Sequence, residues 1–226
     1  MTANEVLIEL KSLATPDHFS KLAHFGINDS KALGIKIPLL RQLAKKIGNN
    51  HEFALELWDT EIHEARLLAS MIENPEEIPE MQFDAWVNDF DSWDICDQCC
   101  SLLVKTPYVL KKIESYSTAN EEFVKRTAFV LICALVIYDK RANDEYFYHF
   151  FDLIEREAGD ERNFVRKAVN WALRQVGKRN ENLRLKAIEC AELIMNQGNK
   201  SARWIATDAL RELNNEKVIE RINKRK

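Results

Sequence analysis

The feature that most restricts what this chain can become is a motif that returns. Phe123-Val124-Lys125-Arg126-Thr127-Ala128 resembles Phe164-Val165-Arg166-Lys167-Ala168-Val169, 41 residues further on. Ala202-Arg203-Trp204-Ile205-Ala206 opens another basic–aromatic segment 36 residues after Arg166-Lys167. Between these copies the apolar residues recur at helical spacing, and no apolar–polar alternation survives for six residues, so no sheet is expected. With only six glycines and five prolines in 226 residues, little breaks the helices.

Taken in order, the spacing predicts helices over 3–14, 17–25, 37–47, 51–58, 61–72 and 80–89, then one opening at Asp91-Ser92. After Pro107 a helix carries Leu110 and Ile113; others follow over 121–138, 144–157, 161–176, 183–195, 200–213 and 216–223. An all-helical period near 40 is the spacing of HEAT and armadillo-type helix pairs. The expected fold is therefore an all-α, HEAT-like helical-repeat solenoid, a curved α-α superhelix formed as one domain over residues 1–226. The second helix of each pair would line its inner wall.

Charge gives that wall a sign. The whole chain carries a net −4, but residues 1–120 stand at −8 and residues 121–226 at +4. Because the basic element sits at the same point of each repeat, stacking the repeats would build a basic concave groove, whose natural occupant is a polyanion such as a nucleic-acid backbone. A protein-binding solenoid with solvated polar helices is the competing reading, and architecture alone does not choose.

Two helices carry candidate chemistry. Trp93 and Asp97 are four residues apart, so an indole and a carboxylate project from one face, while Ile95, Cys96, Cys99, Leu102 and Leu103 form the opposite, buried seam. Asp91 or Ser92 can cap that helix, and Asp94 suits its first turn. Such a pair can hold a sugar ring and place a negative charge beside it; alternatively Trp93 is core and Asp97 is solvated. In the segment 161–176, Lys167, Trp171, Arg174 and Lys178 form a basic stripe opposite Val165, Val169, Ala172 and Val176. Arg162, Arg166, Arg179, Arg184 and Lys186 lie close by against few acids, so phosphates are the expected counter-charges, with Arg126 able to grip one in bidentate fashion. Snorkelling cations over a half-buried Trp171 are the alternative. Arg203 and Trp204 either extend the basic wall or belong to a capping repeat.

Five cysteines (96, 99, 100, 133 and 190) are read as core, because Cys96-x-x-Cys99 lacks the two further ligands a zinc site needs. The five histidines pair with no Cys or Ser and read as structural or surface; Glu64 and Arg66 receive no role. No apolar run reaches the ~20 residues of a membrane helix, and the N-terminus lacks a secretion signal. The expectation is a cytoplasmic, nucleoid-associated monomer with no metal and no cofactor.

Ser92-Trp93-Asp94-x-x-Asp97, Val124-Lys125-Arg126-Thr127-Ala128 and Arg166-Lys167-Ala168-Val169-Asn170-Trp171-Ala172-Leu173-Arg174 together resemble the HEAT-like DNA alkylation repair proteins, the AlkD-type DNA glycosylases. The resemblance runs from Leu33-Gly34-Ile35-Lys36-Ile37-Pro38 onward. It implies that Trp93 and Trp171 pack on the deoxyribose of a damaged nucleotide, that Asp97 is the catalytic carboxylate and that Arg126 binds backbone phosphate. Phe25 is the candidate for an N-terminal aromatic of the family's groove. The implied activity is excision of N3- and N7-alkylated purines from duplex DNA without a base-burying pocket. DNA-binding residues are then Arg126, Lys167, Arg174, Lys178, Lys125 and Arg166. A non-catalytic repeat protein that recognises distorted or branched DNA is the alternative within the same fold.

Overall fold

In the computed structural model, which describes residues 2–224, the chain is helical throughout, with fourteen α-helices and no strand among the described residues. It divides into two compact units, Met1–Pro107 and Tyr108–Lys226.

The first unit holds α1 (Ala3–Leu13), α2 (Pro16–Leu22), α3 (Ile37–Ile47), α4 (His51–Trp58), α5 (His63–Ile72), α6 (Glu80–Asn88) and α7 (Trp93–Leu103). A reciprocal cap starts α1: the Glu5 N–H donates to the Thr2 hydroxyl at 3.3 Å and the Thr2 N–H to the Glu5 carboxylate at 2.8 Å. The expected helix over 17–25 is two pieces. It stops at Leu22, tightens into a 3-10 turn over Ala23–Phe25, and is closed by Gly26 at φ 71. At the centre lies α5, packed against α3, α4 and α7 and buried on nearly every side, His63 and Glu64 included. Trp58 of α4 and Trp86 of α6 stack with centroids 4.0 Å apart and planes 4° from parallel. The Trp58 indole N–H donates to Asp89 at 2.9 Å, and the Arg66 guanidinium lies over its ring. These two indoles are therefore structural.

In the second unit the helices pair and layer. They are α8 (Val109–Ser117), α9 (Glu122–Tyr138), α10 (Glu145–Glu157), α11 (Asn163–Gly177), α12 (Glu181–Asn196), α13 (Lys200–Leu213) and α14 (Glu216–Asn223). Helices α9, α11 and α13 pack side by side, each against its own partner, α8, α10 or α12. Side chains at repeat-equivalent points touch: the Phe123 and Phe164 rings lie 5.3 Å apart, and Arg126 donates to the Phe164 carbonyl at 2.9 Å. Apolar nearly all round, α9 is core, as a helix packed on both sides must be. Asparagine side chains cap three helices that follow: Asn180, Asn199 and Asn215 accept from the first turns of α12, α13 and α14. Asn180 sets the start of α12 at Glu181, two residues before the expected Leu183, whereas Arg162 is extended and delays α11 to Asn163. Between α11, α12 and α13 a side chain on Gly177 would come within 2.7 Å of Ala187 and 2.8 Å of Leu213, so the close approach of these helices requires a glycine.

Candidate nucleic-acid interface

The N-terminal end of α7 is locked from several directions, though not as its sequence suggested. Ser92 occupies the cap position without using its side chain as a cap. Instead the Ser92 hydroxyl accepts the Asn28 backbone N–H at 2.8 Å, and Asp91 accepts the Asn28 side-chain amide at 2.7 Å. The Trp93 indole N–H donates to the Phe25 carbonyl at 3.0 Å, so the loop around residues 25–28 is stitched to the start of the helix. This brings Phe25, 57% exposed, beside Trp93. Trp93 and Asp97 are both half-buried, and Ile95, Cys96, Cys99, Leu102 and Leu103 form the buried seam opposite. Burial pushes the Cys99 and Cys100 thiols well above their usual range, and Cys190 to about 12, which suits packing groups rather than nucleophiles.

Asp94 has a partner the sequence did not reveal. It accepts a hydrogen bond from the buried His63 ring at 2.9 Å, across from α5. Burial, the largest influence, lowers the imidazole's proton affinity, but the Asp94 hydrogen bond and the negative charges of Asp94, Glu64 and Asp91 together outweigh it, and the pKa ends above its ordinary value. A folded-state pKa raised this way stabilises the fold fully below the unfolded value of about 6.5 and ceases to do so as the pH climbs through the folded value. The first unit should therefore lose stability on going from about pH 6 to pH 8. Asp94→Asn should flatten that dependence. Urea midpoints of both proteins at the two pH values test it, and parallel pH profiles would remove His63 as the cause.

In the second unit the basic stripe is partly neutralised from the next helix. Arg174 pairs with Glu212 and lies 3.5 Å from Asp208, and Lys178 reaches Glu212 at 2.6 Å. Burial raises the Glu212 pKa, but hydrogen bonds from Lys178 and Arg174 more than offset this, and its carboxyl sits below the usual range. Lys125, expected to contact phosphate, is buried and bridges Glu157 at 2.7 Å and Asp160 at 3.3 Å. Arg126 is only 5% exposed, with one terminal nitrogen spent on the Phe164 carbonyl. Arg162 is tied to Asp160 and Asn120, Arg179 to the Val136 and Ala142 carbonyls, and Arg184 to Glu181. Where phosphates are the expected counter-charges, internal acids such as Asp160, Glu181 and Glu212 already partner several of these cations. Lys167 is exposed, Trp171 is half-buried beside it in sequence register, and Arg166 lies over the Trp204 ring.

A repeat-based search for acids would have found these partners. Asn170–Asp208 and Arg174–Glu212 are each 38 residues apart, the same separation as Arg126 from Phe164.

A sequence model of the DNA alkylation repair enzyme family matches residues 6–213. Among solved structures, the chain is similar to a member of a family of proteins related to the HEAT-like repeat DNA glycosylases with affinity for branched DNA structures. The TM-score is 0.78 at 19% identity, over 93% of this chain and 95% of that one. At that identity the likeness establishes the fold, which is HEAT-like. No curated protein matches the sequence. No helix among the described residues is long and apolar enough to cross a membrane.

Proposed function

The chain belongs to the DNA alkylation repair enzyme family, and from that premise we propose that it is a DNA glycosylase releasing N3- and N7-alkylated purines. In the first unit Asp97 is the carboxylate that drives the step and Trp93 contacts the deoxyribose; in the second, Lys167 contacts backbone phosphate. Alkylation at N3 or N7 makes the purine cationic and already a good leaving group, so a strong general acid is dispensable. As the N-glycosidic bond breaks, positive charge develops on the sugar. A fixed carboxylate stabilises that charge and orients the attacking water, and an indole face adds attraction to a cation.

One observation carries the reading: Trp93 and Asp97 lie one turn apart on the outward face of a helix whose start is held by Asn28, Phe25 and His63. A carboxylate that need not reorganise as charge develops is worth far more than a mobile one. The test is to incubate the purified protein with a duplex carrying a single N7-methylguanine and to assay free base and abasic site. Release of base supports the reading; binding without release points to the second one.

That second reading is a non-catalytic protein for distorted or branched DNA. It is favoured by the internal pairing of Arg174 and Lys178, which weakens the pull on an ordinary duplex, and by the branched-DNA affinity described for the structural relative. Under either reading Glu212 masks cationic charge. Glu212→Gln should tighten binding to a plain duplex severalfold at low salt. It should also steepen the slope of log K against log salt by about one to two units, as one or two further cations reach phosphate. An unchanged slope in a salt titration would show that Arg174 and Lys178 face no DNA.

A further inference from the structure

The described residues hold two arginine–tryptophan pairs, and they differ in a telling way. In the first, the Arg66 guanidinium lies 5.1 Å from the Trp58 ring, Trp58 is 2% exposed, and Arg66 also bonds the Asp89 carbonyl and carboxylate. Ring and charge are both used up inside the fold. In the second, Arg166 of α11 lies 4.9 Å from the ring of Trp204 on α13, and Trp204 remains 38% exposed. No carboxylate pairs with Arg166 among the described residues, and its buried Nε has no hydrogen-bond partner. Further along the same pair of helices the partners are polar or acidic, Asn170 with Asp208 and Arg174 with Glu212. Only at the end nearest the two helix N-termini does the acid give way to an exposed indole.

From this contrast we infer that Trp204 and Arg166 form a stacking platform for an unpaired nucleotide, the base lying on the exposed indole and its phosphate meeting the unneutralised guanidinium. Every base offers a π-face to an aromatic ring, and an unstacked one gains most from it. The phosphate gains from Arg166, whose charge no internal acid cancels, and from the exposed Lys167 and Arg203, its neighbour and that of Trp204 in sequence. The positive ends of α11 and α13 add to the same potential. A paired base is held within its own stack and cannot reach such a ring, so the platform discriminates by pairing state rather than by sequence. The inference rests on the DNA-binding part of the proposed function and is indifferent to whether Asp97 catalyses anything.

The experiment compares two labelled duplexes, identical except that one carries a single-nucleotide bulge, by fluorescence anisotropy. Wild-type protein should bind the bulged duplex more tightly. Trp204→Ala should erase about tenfold of that preference while its affinity for the paired duplex stays within about twofold. Trp204→Phe, which keeps a stackable ring, should retain most of the preference. Should Trp204→Ala fail to fold, Trp204→Leu fills the space without a π-face and takes its place. A wild-type protein with no preference for the bulge overturns the inference, as does a Trp204→Ala protein that keeps it. Failure to release N7-methylguanine from duplex DNA, measured separately, would count against the glycosylase reading and leave this comparison intact.

Discussion

Asp97→Asn should bind DNA within about threefold of the wild type and excise 7-methylguanine about 100- to 1000-fold more slowly, the range seen when one preorganised stabilising group is lost. Asparagine keeps the size and most of the hydrogen bonding of the aspartate while removing its charge. A role in packing or in holding DNA would survive the change, whereas a role in stabilising an oxocarbenium-like sugar would not. Asp94 supplies the internal control. It sits three residues earlier on the same helix, but its carboxylate is committed to His63. Asp94→Asn should therefore alter the pH dependence of stability and leave the chemical step largely intact. Single-turnover release of 7-methylguanine by the three proteins decides the matter. Equal rates for wild type and Asp97→Asn would take Asp97 out of the chemistry, and loss of binding together with excision would make it structural.

How far the sequence reached depended on whether a feature is local. Helix positions were legible because apolar spacing and breakers act within one helix: α3, α4, α13 and α14 begin and end where the pattern places them. The buried seam of α7 followed from the same logic. What the sequence could not show was where a polar side chain finds its partner across the packing. Ser92 looks like a cap and Asp94 like a first-turn acid, but the fold gives the Ser92 hydroxyl to Asn28, 64 residues away, and the Asp94 carboxylate to His63, 31 residues away. The basic stripe on α11 is visible from spacing alone, whereas its partial cancellation by Glu212 is a property of α13. The same holds for Lys125, whose internal counter-charges Glu157 and Asp160 lie 32 and 35 residues further along the chain. Phe25 is the opposite case: with no motif around it, only folding shows its carbonyl bonded to the Trp93 indole.

Glu64 shows how much of the first unit depends on a residue to which the sequence assigned nothing, and its removal should be the most damaging single change to stability there. Its side chain is 1% exposed and accepts three backbone N–H groups, from Leu33 and Gly34 at 2.7 Å and from Ile35 at 3.1 Å. A buried carboxylate is tolerable only when satisfied in this manner, and the three donors are satisfied in turn. The geometry is strict on the other side too. Gly34 sits at φ +78, and a side chain there would come within 2.7 Å of the Phe19 backbone, so the turn cannot shift to find other acceptors. Glu64→Ala strands three donors at about 1–3 kcal/mol each, and a loss of at least about 3 kcal/mol is expected after partial relaxation. Glu64→Gln keeps the shape and one acceptor oxygen, so it should fall between. Denaturant unfolding of the two variants reads this directly. A Glu64→Ala protein that unfolds within about 1 kcal/mol of wild type would mean that water replaces the carboxylate and that the 33–35 turn is held mainly by its own backbone.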